Sequence, residues 1–255
     1  MSLSACSRAP LIVAHRGASQ DAPENTLAAF RLAIEQKADA LETDLRLTQD
    51  GRIVLLHDAG TKRTAGGPDH RVAETGSEAL RALDVGRAKD PKFSGEKIPF
   101  LEELLDLVPP GRGLFLEIKC KEEILPALEP TLRKSGRLRS LTLIGFDLDV
   151  MGAAKARFPE VAVCWIRGTD KDPVTKKPLP HPTEWIAAAK EKKLDGLDVG
   201  HEGLTARFAG AVKASGLALH VWTVDDTAEA RRVAALGVDS ITTNRPDVIR
   251  KALAE

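Results

Sequence analysis

The chain has 255 residues, 43% of them hydrophobic and 29% charged, which matches the size of one (β/α)8 barrel with a sizeable core. Its 37 basic residues balance 37 acidic ones, so the basic excess expected of a nucleic-acid binder is missing. No apolar run approaches the roughly 18 residues of a membrane span, so no stable membrane anchor is expected.

Short apolar runs alternate with helical patterns from the beginning of the chain, the signature of βαβ units around a parallel sheet. Leu11–Ala14 reads as the first strand and Asn25–Gln36 as the first helix, with Asn25 as its N-cap. Ala40–Leu47 follows, and Asp50-Gly51 separates it from a second run, Arg52–His57, as a hairpin turn would. Residues 58–99, rich in Gly, Pro and charge, are too long for a bare loop. They read as an insertion near the barrel mouth, with some helix at Ser77–Leu83 and a further helix at Phe100–Val108. Strands are then expected at Leu114–Lys119, Leu141–Gly145, Val161–Ile166, Gly196–Val199, Leu217–Val224 and Asp239–Thr243. Helical patterns fill most of the gaps, among them Glu123–Lys134, Thr183–Lys193, Ala228–Leu236 and Pro246–Ala254. Leaving the hairpin return aside, the parallel-type strands number eight, enough to close one barrel domain over residues 1–255.

Barrels of this type place chemistry at the C-terminal ends of their strands. His15 and Arg16 fall at the end of the first, Glu42 and Asp44 on the second, Glu117 and Lys119 on the third, and Trp222 on the seventh. His57 ends the hairpin return. Side chains alternate along a strand, so Glu42 and Asp44 share a face, as do Glu117 and Lys119. With Asp50-Gly51 as a two-residue loop, Gln49 pairs with Arg52, and Asp44 lies opposite His57, roughly 4.5–5.5 Å away. Three carboxylates without thiolate ligands suit one hard divalent cation, Mg²⁺, Ca²⁺ or Mn²⁺. Two histidines suit general acid and base, and Arg16 and Lys119 suit a phosphate. Together these point to phosphodiester cleavage. The remaining histidines, His70, His181, His201 and His220, read as structural, His220 least securely because it shares the parity of Trp222.

Three cysteines, Cys6, Cys120 and Cys164, are too scattered for a zinc site or a disulfide framework. A reducing, cytoplasmic location is expected. Leu3-Ser4-Ala5-Cys6 resembles the end of a lipoprotein signal, which leaves a periplasmic or exported location as the alternative. No sustained heptad pattern selects between monomer and homodimer.

Several segments resemble the glycerophosphodiester phosphodiesterase family. They are AHRGASQDAPENT (Ala14–Thr26), LETDLRLTQDGRIVLLHD (Leu41–Asp58), FSGEKIPFLEELL (Phe93–Leu105), LFLEIK (Leu114–Lys119), VWTVDD (Val221–Asp226) and ITTNRPD (Ile241–Asp247). The resemblance implies a metal-dependent barrel hydrolase that releases glycerol 3-phosphate and an alcohol. It implies His15 and His57 as the acid/base pair, Glu42, Asp44 and Glu117 as metal ligands, Arg16 and Lys119 as phosphate contacts, and Trp222 on the glycerol side. Attack by the glycerol 2-hydroxyl through a cyclic phosphate is what the resemblance suggests, whereas the residues alone fit direct attack by water equally well. Phe100 stands where Thr is usual in that family and Asp225 where Asn often follows Trp-Thr-Val. The nearest rival is a lipid-directed phospholipase C- or D-like enzyme on the same scaffold. A catalytically dead barrel used for binding and an unrelated metal-dependent barrel such as an aldolase are more distant.

Overall fold

A computed structural model describes residues 9–255; Cys6 and the Leu3–Cys6 segment lie outside the described residues. Nine strands form one sheet: β1 (Leu11–Ala14), β2 (Ala40–Leu47), β3 (Ile53–Leu55), β4 (Gly113–Ile118), β5 (Leu141–Gly145), β6 (Ala162–Arg167), β7 (Gly196–Gly200), β8 (Ala218–Trp222) and β9 (Ser240–Thr243). Strands β1, β2 and β4 to β9 pair in parallel, and β9 returns to pair with β1, closing an eight-stranded barrel. Strand β3 hangs antiparallel on the upper half of β2. A helix separates each barrel strand from the next and covers the outside: α1 (Leu27–Glu35), α2 (Leu101–Leu107), α3 (Leu125–Ser135), α4 (Leu148–Arg157), α5 (Glu184–Glu191), α6 (Ala206–Ala214), α7 (Thr227–Ala235) and α8 (Pro246–Ala254). The chain is thus a (β/α)8 barrel.

Burial on both faces explains the near-continuous apolar strands. One side chain in two points outward against the helices: Ile12, Leu41, Leu45, Leu114, Leu116, Leu143, Leu197, Leu219 and Ile241 all join the main core. The intervening positions point into the barrel, where Val13, Ala40, Phe115, Ile144, Cys164 and Ile166 form a separate plug. Above this plug, at the C-terminal ends of the strands, the same inward parity carries the polar residues. Helix starts follow local capping chemistry. Thr26, Asp147, Thr205 and Asp226 each accept a hydrogen bond from a backbone N–H in the first turn that follows.

Two expectations require correction. The hairpin register is Leu45 to Leu55, Arg46 to Val54 and Leu47 to Ile53, so Asp44 faces Leu56 and not His57. The turn holds three residues, Gln49 to Gly51, because Thr48 pairs with Arg52 and Gly51 takes φ +78°. A left-handed glycine at the third loop position is the bulged form of a type I hairpin turn, and it shifts the register by one. Asn25 does not cap α1; Thr26 does, and Asn25 turns inward with φ +57°.

The segment from 58 to 99 carries short helical turns at Lys62–Ala65, Val72–Glu74, Ser77–Arg81 and Pro91–Phe93. It packs over β3 through a satellite core of Val54, Leu56, Val72, Leu80, Val85 and Ile98. Asp50 ties it to the hairpin by accepting hydrogen bonds from the backbone N–H and hydroxyl of Ser77, at 3.0 and 2.7 Å.

Candidate active site

A cavity of about 190 Å³ opens at the C-terminal end of the barrel. His15, Arg16, Glu42, His57, Glu117 and Lys119 line one side, and Ile144, Phe146, Ile166, Asp198, Trp222 and Thr242 line the other. Seven of the eight residues selected from the sequence therefore meet in one cavity. The eighth, Asp44, is fully buried just behind it, and its Oδ1 lies 3.2 Å from Lys119 Nζ.

Glu42, Asp44 and Glu117 offer carboxylate oxygens that all lie within 4.8 Å of one another. Asp44 and Glu117 are level in the parallel register of β2 and β4, which fixes that proximity in the backbone. Arg16 Nε pairs with Asp44 at 3.1 Å, and Lys119 Nζ pairs with Glu117 at 2.6 Å. One oxygen of Glu42 is buried and meets no donor. Burial and the neighbouring carboxylates push Glu42 well above its ordinary pKa and Glu117 up to about 7. Burial alone would raise Asp44 too, but Arg16 and Lys119 hold it below its usual value. Clustered carboxylates short of positive charge, with only oxygen donors, fit a hard divalent cation.

The histidines differ in their support. His15 Nδ1 lies 2.7 Å from Asn244 Oδ1. That oxygen also accepts from the Ser19 hydroxyl at 2.7 Å, while the amide nitrogen of Asn244 donates to Asp225 at 2.6 Å. The amide orientation is thus set by its partners, and Nδ1 of His15 must carry the hydrogen. Its Nε2 faces Glu42 at 4.0 Å. Burial, aided by the Arg16 charge, lowers the His15 pKa to about 4, so its ring is neutral at pH 7. His57 Nδ1 instead meets Asp58 Oδ1 at 2.7 Å. Burial lowers the His57 pKa, opposed by the charge of Asp44 and the hydrogen bond to Asp58. Asp58 is held at about 2: burial would raise it, but hydrogen bonds from Arg63 and His57 prevail. Arg46 fixes the His57 backbone by donating to its carbonyl from Nε at 3.0 Å. The one-residue change of register therefore leaves His57 in the cavity, placed by Asp58 and Arg46 and not by a cross-strand pairing.

Arg16 sits in a left-handed turn, with φ +56°, followed by Gly17 at φ +81°. Its backbone N–H donates to Glu42 at 2.9 Å. Glu24 holds its guanidinium at 3.1 Å and grips Arg63 from the insertion with two bonds of 2.7 Å. Asn25 donates to Asp44 at 2.8 Å and accepts from the Thr43 hydroxyl at 2.7 Å. Trp222 stands edge-on to the half-exposed Phe146, with ring centroids 5.7 Å apart. The residues that sequence reasoning missed are the supports: Glu24, Asn25, Asp58, Arg63, Asp225 and Asn244, together with Phe146 and Asp198 on the cavity wall. The other histidines stay outside the cavity lining: His181 is bonded to the Gly200 carbonyl, His201 to Glu229 and His220 to Ser240.

Residues 15–248 match the model of the Glycerophosphoryl diester phosphodiesterase family. The chain belongs to that family. Among curated relatives, a glycerophosphodiester phosphodiesterase of Caldanaerobacter subterraneus subsp. tengcongensis is 30% identical over 94% of this chain and 96% of its own. One from Bacillus subtilis is 30% identical over 94% of this chain and 85% of its own. The fold is similar to that of an Oleispira antarctica phosphodiesterase solved with its product sn-glycerol-3-phosphate, at 29% identity and a TM-score of 0.87, covering 97% and 98% of the two chains. The glycerophosphodiester phosphodiesterase family accounts for the segments at the strand ends, and the Phe100 departure lies outside the cavity lining.

Proposed function

We propose that the chain hydrolyses glycerophosphodiesters to sn-glycerol 3-phosphate and an alcohol, with His15 as general base and His57 as general acid. The observation that carries this reading is the presence of two differently supported imidazoles in one cavity. His15 keeps an Nε2 lone pair because Asn244 holds its Nδ1 hydrogen. His57 has a carboxylate at Nδ1, which opposes the lowering of its pKa by burial and holds the ring with Nε2 as the group that exchanges a proton with substrate. His15 removes the proton of the glycerol 2-hydroxyl as that oxygen attacks phosphorus. The bond from phosphorus to the alcohol oxygen breaks, and His57 gives that oxygen its proton. Water then opens the cyclic phosphate with the roles exchanged. Arg16 and Lys119 hold the phosphate oxygens.

Glu42, Asp44 and Glu117 would hold a divalent cation, and their buried, charge-deficient cluster supports that reading. When bound, the cation supplies positive charge to the phosphate and polarises its oxygens. Mg²⁺, Ca²⁺ and Mn²⁺ all suit oxygen ligands. The substrate is a small molecule bound by one barrel domain. No helix among the described residues is long and apolar enough to cross a membrane.

Leaving-group chemistry tests the roles. His15→Ala and His57→Ala should each lose about 10²–10⁴-fold in turnover of glycerophosphocholine. A p-nitrophenyl leaving group needs no proton, so first-turnover release of p-nitrophenolate should be rescued in His57→Ala and not in His15→Ala, while opening of the cyclic phosphate, which uses His57 as base, stays slow. Near-normal turnover in both folded variants, or rescue of His15→Ala instead, would overturn the assignment. A diester without the neighbouring hydroxyl should not turn over.

A further inference from the structure

The cavity is divided by chemistry. Its β1, β2 and β4 side carries the histidines, carboxylates and cations; its β5, β6 and β8 side carries Ile144, Phe146, Ile166 and Trp222. One ionisable group interrupts the apolar side. Asp198, on β7 between Ile166 of β6 and His220 of β8 in the ladder, shares its inward parity with Gly196 and Gly200. It is 2% exposed, it lines the cavity, and its Oδ1 is buried without a hydrogen-bond partner. The nearby Trp222 indole does not serve it, because that N–H donates to the Asp198 backbone carbonyl, at 3.3 Å. A buried carboxyl oxygen left unpaired costs stability, and one that lines a cavity is placed to be completed by whatever fills it.

We infer that Asp198 is the specificity residue for the glycerol moiety, hydrogen-bonded to its terminal hydroxyl. This rests on the phosphodiesterase reading above. With the phosphate on the cationic side, the carbon chain of the glycerol lies against Trp222 and Ile166, and the hydroxyl farthest from phosphorus is the polar group left to meet Asp198. The attacking 2-hydroxyl belongs with His15, so the two hydroxyls have separate partners. A site built around such a bond discriminates strongly against a ligand lacking the hydroxyl, because the buried oxygen then stays unpaired.

The experiment compares kcat and KM for glycerophosphocholine and for the phosphocholine ester of propane-1,2-diol, which keeps the neighbouring hydroxyl but lacks the terminal one. Wild-type protein should prefer the first by about 10²-fold or more in kcat/KM. Asp198→Leu should lose most of its activity on glycerophosphocholine and change by less than about threefold on the deoxy ester, erasing the preference. Asp198→Asn, which keeps the shape and a hydrogen-bonding oxygen, should retain part of it and guard against misreading a folding defect. Equal losses on both esters, or a change in the cation concentration needed for half activity with the preference intact, would overturn the inference. If wild-type protein cleaves neither ester, it is the phosphodiesterase reading that fails.

Discussion

His15 Nδ1 and Asn244 Oδ1 lie 2.7 Å apart although 229 positions separate them in the chain. Closure of the barrel makes this contact, since β1 and β9 are neighbours, and Asp225 holds the amide from the loop after β8. A long-range support of this kind sets a tautomer that neither residue could set alone.

Asn244→Leu should cut turnover by about 10–100-fold while leaving the barrel folded, comparable to the loss of an orienting partner behind a metal-bound histidine. Asn244→Asp is more informative. A carboxylate at Nδ1 favours the imidazolium, so the His15 pKa rises from about 4. A histidine base acts in its neutral form, so under the proposed assignment the acid limb of the rate profile should move toward neutrality. Activity near pH 5.5 relative to pH 8 should fall. An unchanged profile in an active Asn244→Asp protein would remove the base role from His15.

Burial and the charge of Asp44 raise the Glu117 pKa to about 7, so stability should depend on pH when no cation is bound. A carboxylate whose folded pKa lies above its unfolded value binds a proton more readily in the folded state, so stability is lost as pH rises between roughly 4.5 and 7. Thermal unfolding of chelated protein should show this decline, and a divalent cation should reverse it above pH 7. Glu42→Gln should stabilise the chelated protein near neutral pH while abolishing activity, a trade of stability for function. No gain in melting temperature would mean that the cluster is not electrostatically strained.

Asp50 works with the opposite sign. Hydrogen bonds from Thr48 and Ser77 lower its pKa to about 2. Its contribution is complete above pH 4 or so and is lost as pH falls toward about 2. Asp50→Ala should weaken the attachment of the insertion to the hairpin, seen as faster amide exchange in residues 72–81. Unchanged exchange would show that the satellite core suffices.

Gly17 explains the glycine that follows His15 and Arg16. A Cβ there would lie 2.6 Å from the backbone carbonyl carbon of Ala29, in a residue at φ +81°. Gly17→Ala should cost about 1–3 kcal/mol from strained backbone alone. It should also reduce activity by displacing the turn that carries Arg16. Normal stability and turnover would show that the turn can shift without harm.

The barrel was legible because each strand declares itself as a buried apolar run and each helix as an amphipathic one. Site residues were legible where strand parity carries them, as with Glu42, Asp44, Glu117 and Lys119. The hairpin register was not, since Asp50-Gly51 fits both a two-residue turn and the three-residue bulge adopted here, and glycine takes the left-handed conformation equally well in either. Asn25 looked like a cap because its composition is cap-like; the left-handed turn that points it at Asp44 depends on packing from β2. Asn244, Asp225 and Arg63 are joined to the site by closure of the barrel and by the folded insertion, which no local pattern encodes. Asp198 gave no signal, for a single acid on a short apolar strand has no partner in the sequence until the cavity around it is known.

Release of sn-glycerol 3-phosphate from glycerophosphocholine, assayed with chelator and then with Mg²⁺, Ca²⁺ or Mn²⁺ restored, tests the proposed chemistry most directly. Expected is no product with chelator and turnover with at least one cation, lost again in Glu42→Gln and His15→Ala. Equal release with and without chelator, or none with any cation and any glycerophosphodiester from folded protein, would contradict a cation-dependent acid–base site at the mouth of this barrel.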